Sequence, residues 1–344
     1  MHRRSRFLSV AGALAIPALV LAGCADRPTV PAANTGDSQP ISGPTGVTIV
    51  ANRLYKLQST DATHPVAFSE APRFARDGSL YWISVLGAAN NQRIFTMDLR
   101  TGRSVPIYGD ATSILAGLAV AKDGSLYVAD LGGGRLLHMN GDGSHVSVLA
   151  DNYQGTRLWP DDLIFDKAGN LYFTSFDGTL DRPTGGVYRW SSTGQLTQVT
   201  AGLARPNGIS ISPDGTQLWV GELQTNRVLR VPLLPDGTMD TSRLAGFAKV
   251  AANLTGGGAD SNGVDSAGNV YQAELAAREF IILDPYGKQI GSVQLPTLAA
   301  GDSVSNIVIK PGSRDGYITT GGADGAFLYQ SRALAPGLVP YSHS

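Results

Sequence analysis

Apolar and polar residues alternate along most of this chain in runs short enough for strands, and the runs come in pairs around a glycine. The pattern is plainest in Leu158-Trp-Pro-Asp-Asp-Leu-Ile-Phe-Asp-Lys-Ala-Gly-Asn-Leu-Tyr-Phe-Thr174. It predicts a strand, a tight turn at Gly169, and a second strand of alternating aromatic and aliphatic residues. The phrase returns at Glu70–Gly78, Ala116–Gly124, Asn207–Gly215 and Asp260–Gly268, and more weakly at Val304–Gly312. The turn glycines fall at 78, 124, 169, 215, 268 and 312, at intervals of 46, 45, 46, 53 and 44 residues. Further strands such as Arg93–Asp98, Gly186–Trp190 and Arg227–Val231 fill each period and end in polar turns. A period near 45 residues with about four short strands per unit predicts an all-β fold, a six-bladed β-propeller. Its closure is expected from an early strand, Val47 to Lys56, pairing into the last blade. Two stacked sandwiches would not repeat at a fixed period.

Composition agrees with short strands: 42 glycines and 19 prolines in 344 residues punctuate too often for long helices. The net charge is −1, and without Arg3, Arg4 and Arg6 the balance is 24 basic against 28 acidic residues. That mild acidity argues against a nucleic-acid partner, which would need a basic stripe. The three arginines precede an interrupted apolar run from Phe7 to Ala22, which reads as an export signal and is too short for a comfortable membrane span. It ends in Leu21-Ala22-Gly23-Cys24, which resembles the bacterial lipobox, and Cys24 is the only cysteine, so no intramolecular disulfide can form. The expected organisation is a lipoprotein signal peptide at 1–23, a lipidated Cys24 with a Pro/Ser/Thr-rich tether at 24–46, and the propeller at 47–344. The expected address is the outer face of the bacterial cell membrane, reached by export and held by a lipid anchor such as palmitate. A soluble secreted protein with an incidental Cys24 is the alternative.

The chemistry is expected where the innermost strands converge on the channel. Eight residues before each turn glycine stand Glu70, Ala116, Asp161, Asn207, Asp260 and Val304. Four are oxygen donors, although Asp and Glu together make only 28 of 344 residues. A shared register sets them at one level. Carboxylates crowded there resist ionisation unless a cation neutralises them. Oxygen donors without His or Cys select a hard cation, and Ca2+ suits a flexible site better than Mg2+; Zn2+ and Mn2+ remain open as other divalent choices. The competing reading is that these residues only cap strand ends as Asx-turns. Asp77, Asp123, Asp166, Asp214 and Asp265 sit at the turns themselves and read as structural. His64, His138, His145 and His343 lack zinc spacing, no Gly-x-Ser-x-Gly occurs, and the runs Gly132–Gly134 and Gly256–Gly258 precede no helix. Trp159 is expected at the rim.

The phrases Glu70-Ala-Pro, Asp161-Asp-Leu-Ile-Phe-Asp, Arg205-Pro-Asn-Gly-Ile and Asp260-Ser-Asn-Gly-Val-Asp resemble those of the senescence marker protein, regucalcin and gluconolactonase family. The likeness is strongest to its bacterial drug-responsive lactonases. The resemblance implies a divalent metal held by Glu70, Asn207 and Asp260, with Asp161 as the fourth ligand and Ser261 added from the drug-responsive branch. Ala71 departs from the glycine common in the family and the second blade is shorter, so a second, structural calcium is not carried over. The implied activity is hydrolysis of a cyclic ester, a small-molecule lactone or related ester; the chain is expected to act as a monomer. The metal would polarise the carbonyl, and Asp260 would shuttle the proton. The alternative is a non-catalytic, metal-containing propeller that binds a ligand or protein partner in the cell envelope. A strictosidine synthase-like condensing enzyme is disfavoured by the full acidic set. The long interval before the fifth blade, Gly-rich at Leu254–Gly258, is expected to form a lid or docking loop.

Overall fold

Among the described residues the strands form six antiparallel units of four strands or more, the last and the first joined into one sheet by the pairing of Gly321 with Phe68. Their innermost strands are Phe68–Phe74, Leu115–Val120, Pro160–Phe165, Pro206–Ile211, Ala259–Val264 and Ser303–Ile309. Each of these packs beside the next, and Ser303–Ile309 packs beside Phe68–Phe74, so the ring of units closes on itself. The computed structural model describes residues 46–59, 66–86, 92–242 and 249–344. The signal segment, Cys24, the tether and His64 lie outside the described residues.

The core explains the closure. Six apolar clusters each fill the space between two successive blades. Ile83 and Ile94 meet Leu118 and Leu137 between blades 1 and 2. Tyr271 and Phe280 meet Ile318 and Tyr329 between blades 5 and 6, and Trp82 and Phe95 meet Tyr317 and Leu328 between blades 6 and 1. Second strands are covered on both faces, which is why Leu171–Ser175 is buried throughout and reads as a continuous apolar run. Trp82 stacks on Phe95 at a centroid distance of 4.2 Å, and burying each such ring contributes about 1.5–3 kcal/mol.

The inner hairpins turn where the sequence predicts. Asp77 accepts from the Ser79 N–H at 2.9 Å and Asp166 from the Ala168 N–H at 2.8 Å. Asp123, Asp214 and Asp265 likewise bind backbone N–H groups two residues ahead, so all five turn aspartates hold backbone geometry.

Two expectations are corrected. The early segment is two strands rather than one. Val47–Val50 runs parallel to Gln289–Gln294 as a fifth strand of blade 5, and Asn52–Lys56 pairs with Phe327–Arg332 to complete blade 6. The buried Ala51 between them donates its N–H to the Gln294 carbonyl. The chain meets two free sheet edges in succession, and each takes a strand. In the sequence the extra length of the fourth period falls between Pro232 and Lys249; its described part, 233–242, starts from the end of the blade away from the start of the inner strands, where Leu233 bridges Met239. Leu254–Gly258 is instead a tight connection, tied by Asn226 Oδ1 to the Gly258 N–H at 2.6 Å.

The far end of the channel is crossed by the C-terminal segment. Ala335 N–H donates to Asp265 Oδ2 and Ser266 N–H to the Pro336 carbonyl, and Tyr341 packs on Phe165. Beneath it lies a largely apolar cavity of about 160 Å³, lined by residues such as Ile164, Ile209, Ile307 and Leu338. That cavity is at the opposite end from the carboxylates.

Candidate metal centre

Every innermost strand carries one extra residue against its neighbour at the same height. The ladder slips between Glu70 and Arg73, Leu115 and Gly117, Pro160 and Leu163, Pro206 and Ile209, Ala259 and Asn262, and Val304 and Ile307. A bulge re-aims side chains, so two consecutive residues of each strand are turned toward the axis. Counted back from the pair nearest each turn, the first layer is Glu70, Ala116, Asp161, Asn207, Asp260 and Ser305. The next layer is Ala71, Gly117, Asp162, Gly208, Ser261 and Asn306. Two of these positions admit only glycine: a Cβ on Gly117 would stand 2.1 Å from the Asp161 carbonyl oxygen, and one on Gly208 would stand 2.5 Å from Ser261 Cα.

Val304 therefore does not occupy the ring position that the spacing assigned to it. It pairs with Thr320 as Pro160 pairs with Ser175 and Pro206 with Glu222, and Ser305, four residues before Ile309, takes its place. The reason is local: the sixth strand ends at Ile309, three residues before Gly312, whereas Pro160–Phe165 ends four before Gly169.

The five residues expected to hold a metal come together. Glu70, Asp161, Asp260 and Ser261 are buried and Asn207 is half-buried. Burial, then repulsion from Asp260, Asp162 and Asp161, raises the Glu70 pKa well above the usual carboxylate range. Burial, then Asp260 and Asp162, does the same to Asp161. Asp260 is pushed up to about 8 by burial and by Asp162, against hydrogen bonds from the Ser261 N–H and the Asn207 side chain. Ser261 Oγ lies 3.4 Å from Asn207 Oδ1. Ala116 offers no donor.

Two charged residues at the centre escaped the spacing argument. Asp162 is buried, and its pKa is raised by burial and drawn back by Arg73 and by the Leu163 N–H. Arg73 donates to Asp162 Oδ1 at 3.0 Å and to the Pro72 carbonyl at 2.9 Å. The doubled aspartate at 161–162 was the available signal. Nothing local marks Arg73 as its partner.

The supporting shell is hydrogen-bonded. Gln272 Nε2 donates to the Asp260 carbonyl at 2.6 Å, and Asn262 Nδ2 donates to Gln272 Oε1 at 3.1 Å. The Thr174 hydroxyl donates to the Asn207 carbonyl at 2.6 Å and accepts from the Asp162 N–H at 3.1 Å, joining blades 3 and 4 beside the ring. Such contacts fix the direction of the inward side chains. Trp159 is half-buried at the rim, with the Arg157 guanidinium 4.5 Å from its ring.

The donor set fits a hard divalent cation. It consists of oxygens, and Asp161 Oδ2 and Asp162 Oδ2 are buried without a hydrogen-bond partner within the protein. Unpaired buried carboxylate oxygens are costly unless a cation meets them. Among the described residues, no three His, Cys, Asp or Glu side chains are grouped so as to hold a metal ion by themselves, so the amide of Asn207 and the hydroxyl of Ser261 would have to complete the site.

Comparison with known proteins gives the same direction. A protein named Lactonase drp35 from Staphylococcus saprophyticus is 30% identical over 280 residues, covering 78% of this chain and 84% of the relative. A gluconolactonase from Xanthomonas campestris superposes with a TM-score of 0.65 at 22% identity, over 82% of this chain and 89% of its own. A calcium-binding protein, regucalcin, from Agrobacterium tumefaciens does so with a TM-score of 0.65 at 18% identity, over 85% and 97%. The two structures show the propeller fold. The family model described as SMP-30/Gluconolactonase/LRE-like region matches residues 68–322, from the first innermost strand into the last blade, and the chain belongs to that family.

Proposed function

We propose that the protein is a divalent-metal-dependent lactonase, with calcium as the cation. Glu70, Asp161, Asn207, Asp260 and Ser261 would hold the metal. The observation that carries this reading is the meeting of three buried, pKa-raised carboxylates on innermost strands of three different blades, in a chain whose relatives include one named lactonase. A bound divalent cation would polarise the lactone carbonyl and stabilise the oxyanion that forms when water adds.

Asp260 is assigned the proton transfer. It takes a proton from the water whose oxygen bonds to the carbonyl carbon, and returns it to the ring oxygen as the carbon–oxygen bond breaks, leaving a hydroxy acid. Burial and Asp162 raise Asp260 toward neutrality, and a cation beside it lowers it again. Those opposed effects suit a group that must both accept and give a proton near pH 7. The proposal includes the address: export by residues 1–23 and anchorage by a lipid on Cys24 to the outer face of the cell membrane.

The test is hydrolysis of a lactone panel by the purified protein. Turnover should disappear in chelator and return with calcium, and the activity of cells should leave the membrane fraction in a Cys24→Ala strain. Stabilisation by calcium without turnover of any lactone or aryl ester would instead favour a non-catalytic binding propeller.

Stability should report the carboxylates directly. Their folded pKa values lie above the unfolded ones, so between the ordinary carboxylate range and about pH 8 the folded state holds more protons. In chelator the melting temperature should therefore fall as pH rises from 5 to 8. Turn aspartates such as Asp77 and Asp123 are held below the ordinary range and are ionised in both states throughout that window. Saturating calcium should flatten the slope. An equal slope with and without calcium would count against a cation among these groups.

A further inference from the structure

The sixth blade brings to the channel one group that neither the ring spacing nor the family pattern assigns. Asn306 is 0% exposed; its Oδ1 has no hydrogen-bond partner within the protein, and its Nδ2 finds no well-formed one, reaching towards the Glu70 carboxylate. The neighbouring amides are not left this way. Asn262 Nδ2 donates to Gln272 Oε1 and its Oδ1 accepts from Ser210 Oγ, while Gln272 Nε2 donates to the Asp260 carbonyl. Burying an amide unpaired costs about 1–3 kcal/mol. An amide oxygen left unpaired among satisfied ones therefore marks a group kept for a ligand.

Its position says which ligand. Ser305 Oγ donates to the Ser69 carbonyl at 2.7 Å, which fixes Ser303–Ile309 against Phe68–Phe74 one residue before Glu70. Asn306 consequently stands beside the Glu70 carboxylate, and its side chain partly offsets the rise that burial imposes there. An amide has one donating and one accepting end. An ionised Glu70, as it would be beside a cation, can take only the donating end, which leaves Oδ1 for the interior, where Asp161 Oδ2 and Asp162 Oδ2 are also unpartnered. Asn306 lies in the same layer as Ser261, and it supplies from blade 6 the oxygen that Ala116 cannot supply from blade 2.

We propose that Asn306 is a further oxygen ligand of the divalent cation, with Nδ2 held by Glu70 and Oδ1 directed at the ion. The inference rests on the metal reading above and adds to it. Calcium takes about 6–8 oxygens, and a neutral sixth donor raises the count without adding charge to a channel already crowded with anions.

The experiment is calcium titration calorimetry on the wild-type protein, Asn306→Leu and Asn306→Asp, with melting in chelator as the control. Asn306→Leu should weaken calcium binding by about tenfold or more, while its melting temperature in chelator stays level or rises, because an unpaired buried amide has been removed. Asn306→Asp keeps an oxygen and the size, so it should retain calcium binding while melting lower in chelator at pH 8. The inference is overturned if the leucine variant binds calcium like the wild type, if it loses chelator-state stability in step with affinity, or if the aspartate variant also loses binding. A wild-type protein that binds no divalent ion would sink the metal reading and this inference together. Equal binding by wild type and leucine variant sinks only the inference.

Discussion

Asp260→Asn should lower lactone turnover by about 10²–10⁴-fold, the range expected for loss of a positioned proton-transfer group, while calcium still stabilises the fold. The asparagine keeps an oxygen at the ligand position and removes the negative charge and the ability to hold a proton. Its surroundings are built to tolerate the change. The Asp260 backbone carbonyl is fixed by Gln272 Nε2, and the side chain is met by Asn207 and the Ser261 N–H. A neutral amide also relieves the repulsion from Asp162, so the metal-free variant should melt higher than the wild type at pH 8. Measuring kcat at saturating calcium beside the calcium-induced shift in melting temperature separates chemistry from metal loss. Turnover within a factor of ten of the wild type, with calcium bound, would remove Asp260 from the proton-transfer role.

Arg73→Met should destabilise the protein by about 3–5 kcal/mol, the cost of leaving a buried charge without its partner. Arg73 and Asp162 are 14% and 2% exposed along their side chains, and they join blades 1 and 3 across the channel. Removing the guanidinium leaves Asp162 facing Glu70 and Asp260 with only backbone and hydroxyl donors. Asp162→Asn added to Arg73→Met should recover more than half of the loss, because the uncompensated charge is then gone. Denaturant unfolding of the two single variants and the double variant in chelator gives the coupling. Additive losses would show that the pair is ordinary packing.

The blade repeat was legible because it is written in contiguous residues. Alternation marks the strands, Asp and Gly mark the turns, and both act within about ten residues of one another. The acids at 70, 161 and 260 were legible for the same reason, since their distance to a turn glycine carries over from blade to blade. Val304 shows where that ruler fails: a turn one residue different moves the ring position to Ser305 and brings Asn306 to the channel. Repeat spacing measures along the chain, whereas the bulges that aim side chains inward are set by pairing with the next strand.

From the order of its residues alone, then, this protein's strand content, its turn chemistry, its six-fold repeat and three of its channel carboxylates follow, because each depends on neighbours close in the chain. The partnership of Arg73 with Asp162 links positions 89 residues apart, and the contact of Ser305 with Ser69 links positions 236 apart. Val47–Val50 and Asn52–Lys56 part company because two sheet edges happen to lie open beside them. Those choices belong to the closed ring of blades. Burial, repulsion and unpaired oxygens arise only when strands distant in sequence are brought to one axis, and no local pattern records which side chains will meet there.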